Sequence, residues 1–149
     1  MIKDTKMELA ILEAKKAAVR AEIPVGAVIE DATGKVIAVE GNRTRQLKDP
    51  TAHAEMIAIR KACAIKNQLY LEKYTIYVTL EPCPMCMGAI FAARIGKLVF
   101  GVESPKFGGL KSDTETLEIP TAQNKTEIYG GFYEKQITSI MKNFFFDKR

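Results

Sequence analysis

The run YTIYVTL, Tyr74 to Leu80, alternates β-branched and aromatic residues and stops abruptly at Glu81-Pro82-Cys83-Pro84-Met85-Cys86. The alternation predicts a strand, the strongest in the chain. Pro84 predicts the first position of a helix, where the missing N–H would have no partner in any case. The chain must therefore turn from strand to helix with a cysteine at the junction. Cys83 becomes the helix cap, and Cys86, one turn on, shares its face. Both sulfurs then converge beyond a helix N-terminus, where the positive end of the helix dipole favours thiolates.

The surrounding pattern supplies the rest of an α/β fold. Residues Asp4 to Arg20 carry Met7, Ala10, Ile11, Ala14, Ala17 and Ala18 at helical spacing. IPVGAVIED and KVIAVEGN, separated by Ala32-Thr33-Gly34, read as a β-hairpin whose second strand ends at Gly41-Asn42. A helix is predicted from His53 to about Lys66, another from Pro84 to Arg94 ending at Gly96, then strands in KLVFGVE and TEIYGG. A last helix from Phe132 onward places Ile137, Ile140, Met141, Phe144 and Phe145 on its buried side. The order α-β-β-α-β-α-β-β-α mixes a hairpin with strand-helix-strand crossovers, so a five-stranded mixed sheet covered by helices on both faces is expected, in one domain spanning 1–149. The stretch Ser104 to Gln123 is irregular and long, as functional loops are.

Composition narrows the functional classes. Hydrophobic residues at 47% and charged residues at 27% exclude a disordered or fibrous chain. No apolar run is long enough to span a bilayer or serve as a signal peptide, so a cytoplasmic protein with no membrane partner is expected. In a reducing compartment a Cys-x-x-Cys pair points to metal or redox chemistry rather than a staple. The net charge of +4 is compatible with a nucleic-acid partner.

Two thiolates do not complete a metal site, and a Cys-x-x-Cys pair by itself equally fits a redox couple or half of a structural zinc site. The single histidine, His53, opens a helix in TAHAEM, and a strand between the two segments could bring both helix starts together. A His, Cys, Cys set with no obvious fourth protein ligand suits Zn²⁺ with an open position, which means catalysis rather than structure. Such zinc lowers the pKa of a bound water to about 7. Glu55, at the first turn of the His53 helix, leans toward the same cavity and is placed to shuttle protons without binding the metal. Cys63, mid-helix among apolar residues, reads as a buried structural thiol. Met85 and Met87 read as packing residues, and Asn42 by itself as a turn residue.

HAE at His53 to Glu55 and PCPMC at Pro82 to Cys86 resemble the His-x-Glu … Pro-Cys-x-x-Cys signature of the zinc-dependent nucleoside and nucleobase deaminases. EIPVGAVI, GNRT, DPTAHAE, YVTLEPCPMC, ARIGKLVFG and FYEKQITSIMKNFF look most like the bacterial tRNA-specific adenosine deaminases. That resemblance implies an α/β/α cytidine-deaminase-like fold, one Zn²⁺ per subunit, a homodimer, and a tRNA anticodon stem-loop as partner. A wobble adenosine would be flipped from its loop and attacked at C6 by zinc-bound hydroxide, with Glu55 as proton shuttle. It further implies His53, Cys83 and Cys86 as ligands. Asn42, Ala54, Ser104 and Lys106 would bind substrate, and Arg94, Phe144, Phe145, Lys148 and Arg149 would bind RNA. The chain departs from that pattern at Ser104, where the family often has aspartate, and at Phe146, where a basic residue often sits. The alternatives are a guanine deaminase or other free nucleobase or nucleoside deaminase, which shares EPCPMC and GAI, and a noncatalytic zinc-stabilised RNA-binding subunit. Retention of Glu55 argues against the last.

Overall fold

The structure is a computed structural model that describes residues 4–104 and 125–147. In chain order the elements are α1 (Thr5–Val19), β1 (Gly26–Glu30), β2 (Val36–Gly41), α2 (Thr44–Leu47), α3 (Ala54–Lys66), β3 (Thr75–Leu80), α4 (Pro84–Ala92), β4 (Lys97–Val102), β5 (Glu127–Tyr129) and α5 (Glu134–Asp147). All elements expected from the sequence are present, with ends at the expected limits or up to three residues inside them. The short helix α2 was not expected, because four residues carry no periodicity.

Local chemistry sets the ends of these elements. The Asp4 carboxylate accepts the N–H groups of Lys6 and Met7 at 3.0 and 3.4 Å, capping α1. At the other end Ala21 adopts a left-handed φ of 65°, which turns the chain back toward the sheet. In the hairpin, Asp31 Oδ1 accepts from the N–H groups of Thr33 and Lys35, and Gly34 takes a φ of 88°.

The sheet runs β2-β1-β3-β4-β5, with β1 antiparallel to both β2 and β3, and β3, β4 and β5 mutually parallel. Strand alternation divides the core in two. Ala27, Ile29, Ile76, Val78, Leu98 and Phe100 face α3 and α4, whereas Val28, Tyr77 and Val99 pack with Met7, Ala10, Ile11 and Ile137 of α1 and α5. This is the expected three-layer α/β/α arrangement. The α1 layer lies so close to β1 that a Cβ on Gly26 would collide with the Ala10 carbonyl.

Three expectations about packing are corrected. On α5, Ile137 is buried and Phe144 half-buried, but Phe145 is 52% exposed, because its side of the helix overhangs a cavity rather than the sheet. Cys63 is half-buried, its Sγ 3.8 Å from the Leu69 carbonyl at the rim of the core. Met87 is fully buried as expected, while Met85 lies on the outer side of α4 and is exposed.

The register brings the carboxyl ends of β2, β3 and β4 and the start of β1 to one edge: Gly26 lies opposite Gly41, Ala27 opposite Val78, and Leu80 opposite Val102. Ligands of open α/β sheets bind in the crevice beyond such strand ends.

Candidate active site

Helices α3 and α4 start at this edge, capped respectively by His53 and Cys83. His53 Nδ1 lies 3.7 Å from Cys83 Sγ and 3.5 Å from Cys86 Sγ, and the three atoms fall within 4.8 Å of one another. Zinc bonds of about 2.05 Å to nitrogen and 2.3 Å to sulfur at tetrahedral angles put nitrogen and sulfur about 3.6 Å apart, so the donor set fits a zinc ion. The proton balance of the three groups suits a cation as well. A hydrogen bond from Cys86, opposed by burial and aided by His53, holds the Cys83 thiol down at about 4. The same bond pushes Cys86 up, with burial and the Glu55 charge adding to it. The bond to Cys83 raises His53 against the effect of burial. A metal would displace the shared proton.

Glu55, in the first turn of α3, is buried, and its Oε1 has no hydrogen-bond partner among the described residues. Burial, reinforced by the Cys83 charge and opposed by His53, pushes its carboxyl up to about 7. An orphaned polar oxygen in a buried site costs about 1–3 kcal/mol. Its use lies in the cavity it faces.

Asn42, the residue after β2, has its Oδ1 bonded to the Ala54 N–H at 2.8 Å. Since that amide is a donor, the acceptor end of Asn42 is fixed and its Nδ2–H₂ donors are left over for the cavity. Ala54 is fully buried and does not line the cavity; its N–H is spent on Asn42.

The cavity holds about 730 Å³, within the range of about 300–1,000 Å³ for ligand sites. A single purine does not fill it. Its apolar wall includes Ile23, Val25, Leu80, Val102 and Met141, and it extends from buried Glu55 to exposed Lys142 and Phe145 on α5. Ser104 lines it, held by a 3.0 Å bond from its N–H to Glu81 Oε1. Glu81 itself donates its N–H to the Val102 carbonyl at 2.8 Å, so it ties the cysteine segment to the end of β4.

The structure does not bring Arg94 to this cavity. Nine-residue α4 separates it from Cys83 by about 14 Å at 1.5 Å per residue. Its guanidinium sits 3.9 Å from the Tyr70 ring centroid, with Glu72 at 3.8 Å. Phe144 packs edge-on to Phe145 at 5.3 Å and is not among the lining residues. Lys106, Lys148 and Arg149, and most of the Ser104 to Gln123 stretch, lie outside the described residues. Sequence reasoning missed Thr44, Glu81, Thr138 and Lys142, all of which line the cavity. A signal was available for two of them: Thr138, Met141, Lys142 and Phe145 fall at i, i+3, i+4 and i+7 on one helical face.

With this geometry in view, comparison with known proteins is direct. The chain belongs to the cytidine and deoxycytidylate deaminase family, whose zinc-binding region matches residues 2–102. Within it, the chain is similar to the tRNA-specific adenosine deaminase of Agrobacterium fabrum, with 46% identity over 143 residues, covering 96% of this chain and 93% of that one. A solved structure from work on A-to-I editing by tRNA:A34 deaminases at the wobble position of transfer RNA superposes with a TM-score of 0.86. It is 44% identical and covers 93% of this chain and 99% of that one. A guanine deaminase from Bacillus subtilis is more distant, at 30% identity and a TM-score of 0.68, covering 95% and 93%.

Proposed function

We propose that the chain is a zinc-dependent tRNA adenosine deaminase that converts the wobble adenosine of an anticodon to inosine. The observation that carries this reading is the convergence of His53, Cys83 and Cys86 beside buried Glu55, whose Oε1 has no hydrogen-bond partner among the described residues, in a cavity that continues to the exposed face of α5. A free-base enzyme needs only the inner part of that volume.

In this reading His53 Nδ1, Cys83 Sγ and Cys86 Sγ hold one Zn²⁺, which when bound supplies Lewis-acid activation of a water at neutral pH. The residues around it do the rest. Asn42 Nδ2 donates to an acceptor on the base and fixes its orientation. Glu55, buried beside the donor set, would accept the proton the water gives up, deliver it to N1, and afterwards pass one to the departing amine. One water is consumed and one ammonia leaves. Val25 and Leu80 give the base an apolar wall, and Ser104, Lys142 and Phe145 meet the neighbouring nucleotides. Phe144, Lys106, Lys148, Arg149 and Arg94 are kept as RNA-binding or substrate-binding candidates, and Ala54 as a substrate contact, on the family resemblance alone. On the same ground we propose one deaminase domain across 1–149, a homodimer and a cytoplasmic location; no helix among the described residues is long and apolar enough to cross a membrane.

The test is ammonia release by zinc-loaded protein from an anticodon stem-loop with adenosine at the wobble position and, in parallel, from free guanine. Inosine in the RNA digest with no turnover of guanine is expected. Turnover of guanine alone would replace the proposal with a free-base deaminase, and a dead Glu55→Ala variant that keeps zinc separates catalysis from a binding role.

A further inference from the structure

The wall of the cavity formed by Asn42 and Thr44 is shaped by residues that do not line it. Glu22 is 1% exposed. Its carboxylate accepts the Thr44 hydroxyl at 3.2 Å, the Arg45 N–H at 3.1 and 3.2 Å, and the Gln46 N–H at 2.8 Å. These are groups of the first turn of α2, which have no partner within a helix this short. Arg43, at the cap position of α2, makes no side-chain cap, so Glu22 takes that role from 22 or more residues away. Burial alone would raise the Glu22 carboxyl, but the bonds from Gln46, Arg45 and Thr44 outweigh it and hold the group below the ordinary carboxylate range.

The same turn grips the segment between β2 and α2 at a second point. Arg20, on the other side of left-handed Ala21, donates from Nη2 to the Asn42 carbonyl at 2.8 Å. It crosses Gly41, where a Cβ would stand 2.8 Å from the guanidinium. No residue of α2 is buried, so core packing does not fix its place. Arg45 and Lys48 on and after it are exposed and form no ion pair among the described residues.

We infer that Glu22 is a positioning residue for the polynucleotide: by holding α2 against the cavity, it sets where Arg45 and Lys48 meet the phosphates flanking the target nucleotide. It does not touch the substrate. Asn42 keeps its own bond to the Ala54 N–H at the start of α3, and Glu55 belongs to that helix, so the chemical step is independent of it. This inference rests on the RNA deaminase reading above.

Glu22→Gln preserves size but removes the negative charge and leaves one acceptor oxygen in place of two, with an NH₂ group where Oε1 met the Arg45 N–H and the Thr44 hydroxyl. In the zinc-loaded enzyme, kcat and KM for the wobble-adenosine stem-loop are measured across a salt series. The expected result is a KM raised about tenfold, kcat within about twofold, unchanged zinc content, and a slope of log KM against log salt reduced by about 0.7–1.4, the loss of one or two phosphate contacts. Arg45→Ala and Lys48→Ala, both at exposed positions, lower the same slope in the wild type and have no further effect in the Glu22→Gln background. They carry the test if Glu22→Gln does not accumulate. Unchanged slopes in these variants, or a loss of kcat at constant slope, would overturn the inference while leaving the function intact. A wild type inactive on the stem-loop would overturn both.

Discussion

Replacing Glu55 by glutamine in the metal-free protein should remove a defined pH dependence of stability. In the folded chain, burial first and the Cys83 charge second hold the Glu55 carboxyl at about 7, against 4.5 for the ordinary group. Below pH 4.5 both folded and unfolded chains carry the proton, and the stability linked to it is fully present. Between 4.5 and 7 the unfolded chain releases the proton while the folded chain keeps it, so stability falls as pH rises. Above 7 both are ionised and the loss levels off. A displacement of about 2.5 pH units at 1.36 kcal/mol each gives a loss of about 3 kcal/mol. Glutamine is isosteric and mimics the protonated acid at every pH. The assay is urea unfolding of chelator-treated wild type and Glu55→Gln from pH 4.5 to 8, taking the difference at each pH. Cys83 and His53 titrate in both proteins, and because the Glu55 charge helps to raise His53, the difference reports Glu55 together with these neighbours. The wild type should be close to the variant at pH 4.5 and about 3 kcal/mol less stable at pH 7.5. A difference that stays flat within 0.5 kcal/mol would refute the reasoning, since it would mean that water reaches Glu55 and that the buried carboxyl has its ordinary pKa.

Removal of either sulfur, by Cys83→Ala or Cys86→Ala, should reduce bound zinc to a small fraction of one per chain by atomic absorption and abolish turnover, because two donors do not hold zinc in competition with water. Asn42→Ala should cost about 1–3 kcal/mol in urea unfolding of the holoprotein, since it strands the buried Ala54 N–H, and should also raise KM through the lost Nδ2 donors; an unchanged stability would show that the Ala54 amide finds water. Gly26→Ala should destabilise the fold by about 1–3 kcal/mol or more by forcing α1 off β1, with a lower Tm and unchanged zinc stoichiometry.

Much of this site was legible because its parts are locally coded. A strand followed by Pro-Cys-Pro fixes a cysteine at a helix cap whatever the rest of the chain does, and Cys86 one turn later needs only helical geometry to face the same way. His53 and Glu55 follow equally from a helix start. Phe145 is the contrary case. Its spacing from Ile137 suits a buried face, but α5 runs past the sheet, and the residues beyond the overhang line a cavity instead. Periodicity reports which residues share a face and does not report how far the opposing layer extends. Arg94 is similar: its charge and position after α4 are visible in sequence, while its stacking on Tyr70 at the far end of that helix is not.

By itself the sequence determined the strands, the longer helices and the identity of the candidate metal donors, because propensity, caps and side-chain periodicity act over a few neighbouring residues. Tertiary structure alone decided that Asn42 presents its amide donors rather than its carbonyl, since Ala54 takes the oxygen. It also decided that a four-residue helix exists where Glu22 reaches across to hold it, and that Glu55 lies deep enough for its carboxyl to titrate near neutrality. Each of these depends on a partner or a dielectric environment supplied by chain that is remote in sequence, and no local pattern carries that information.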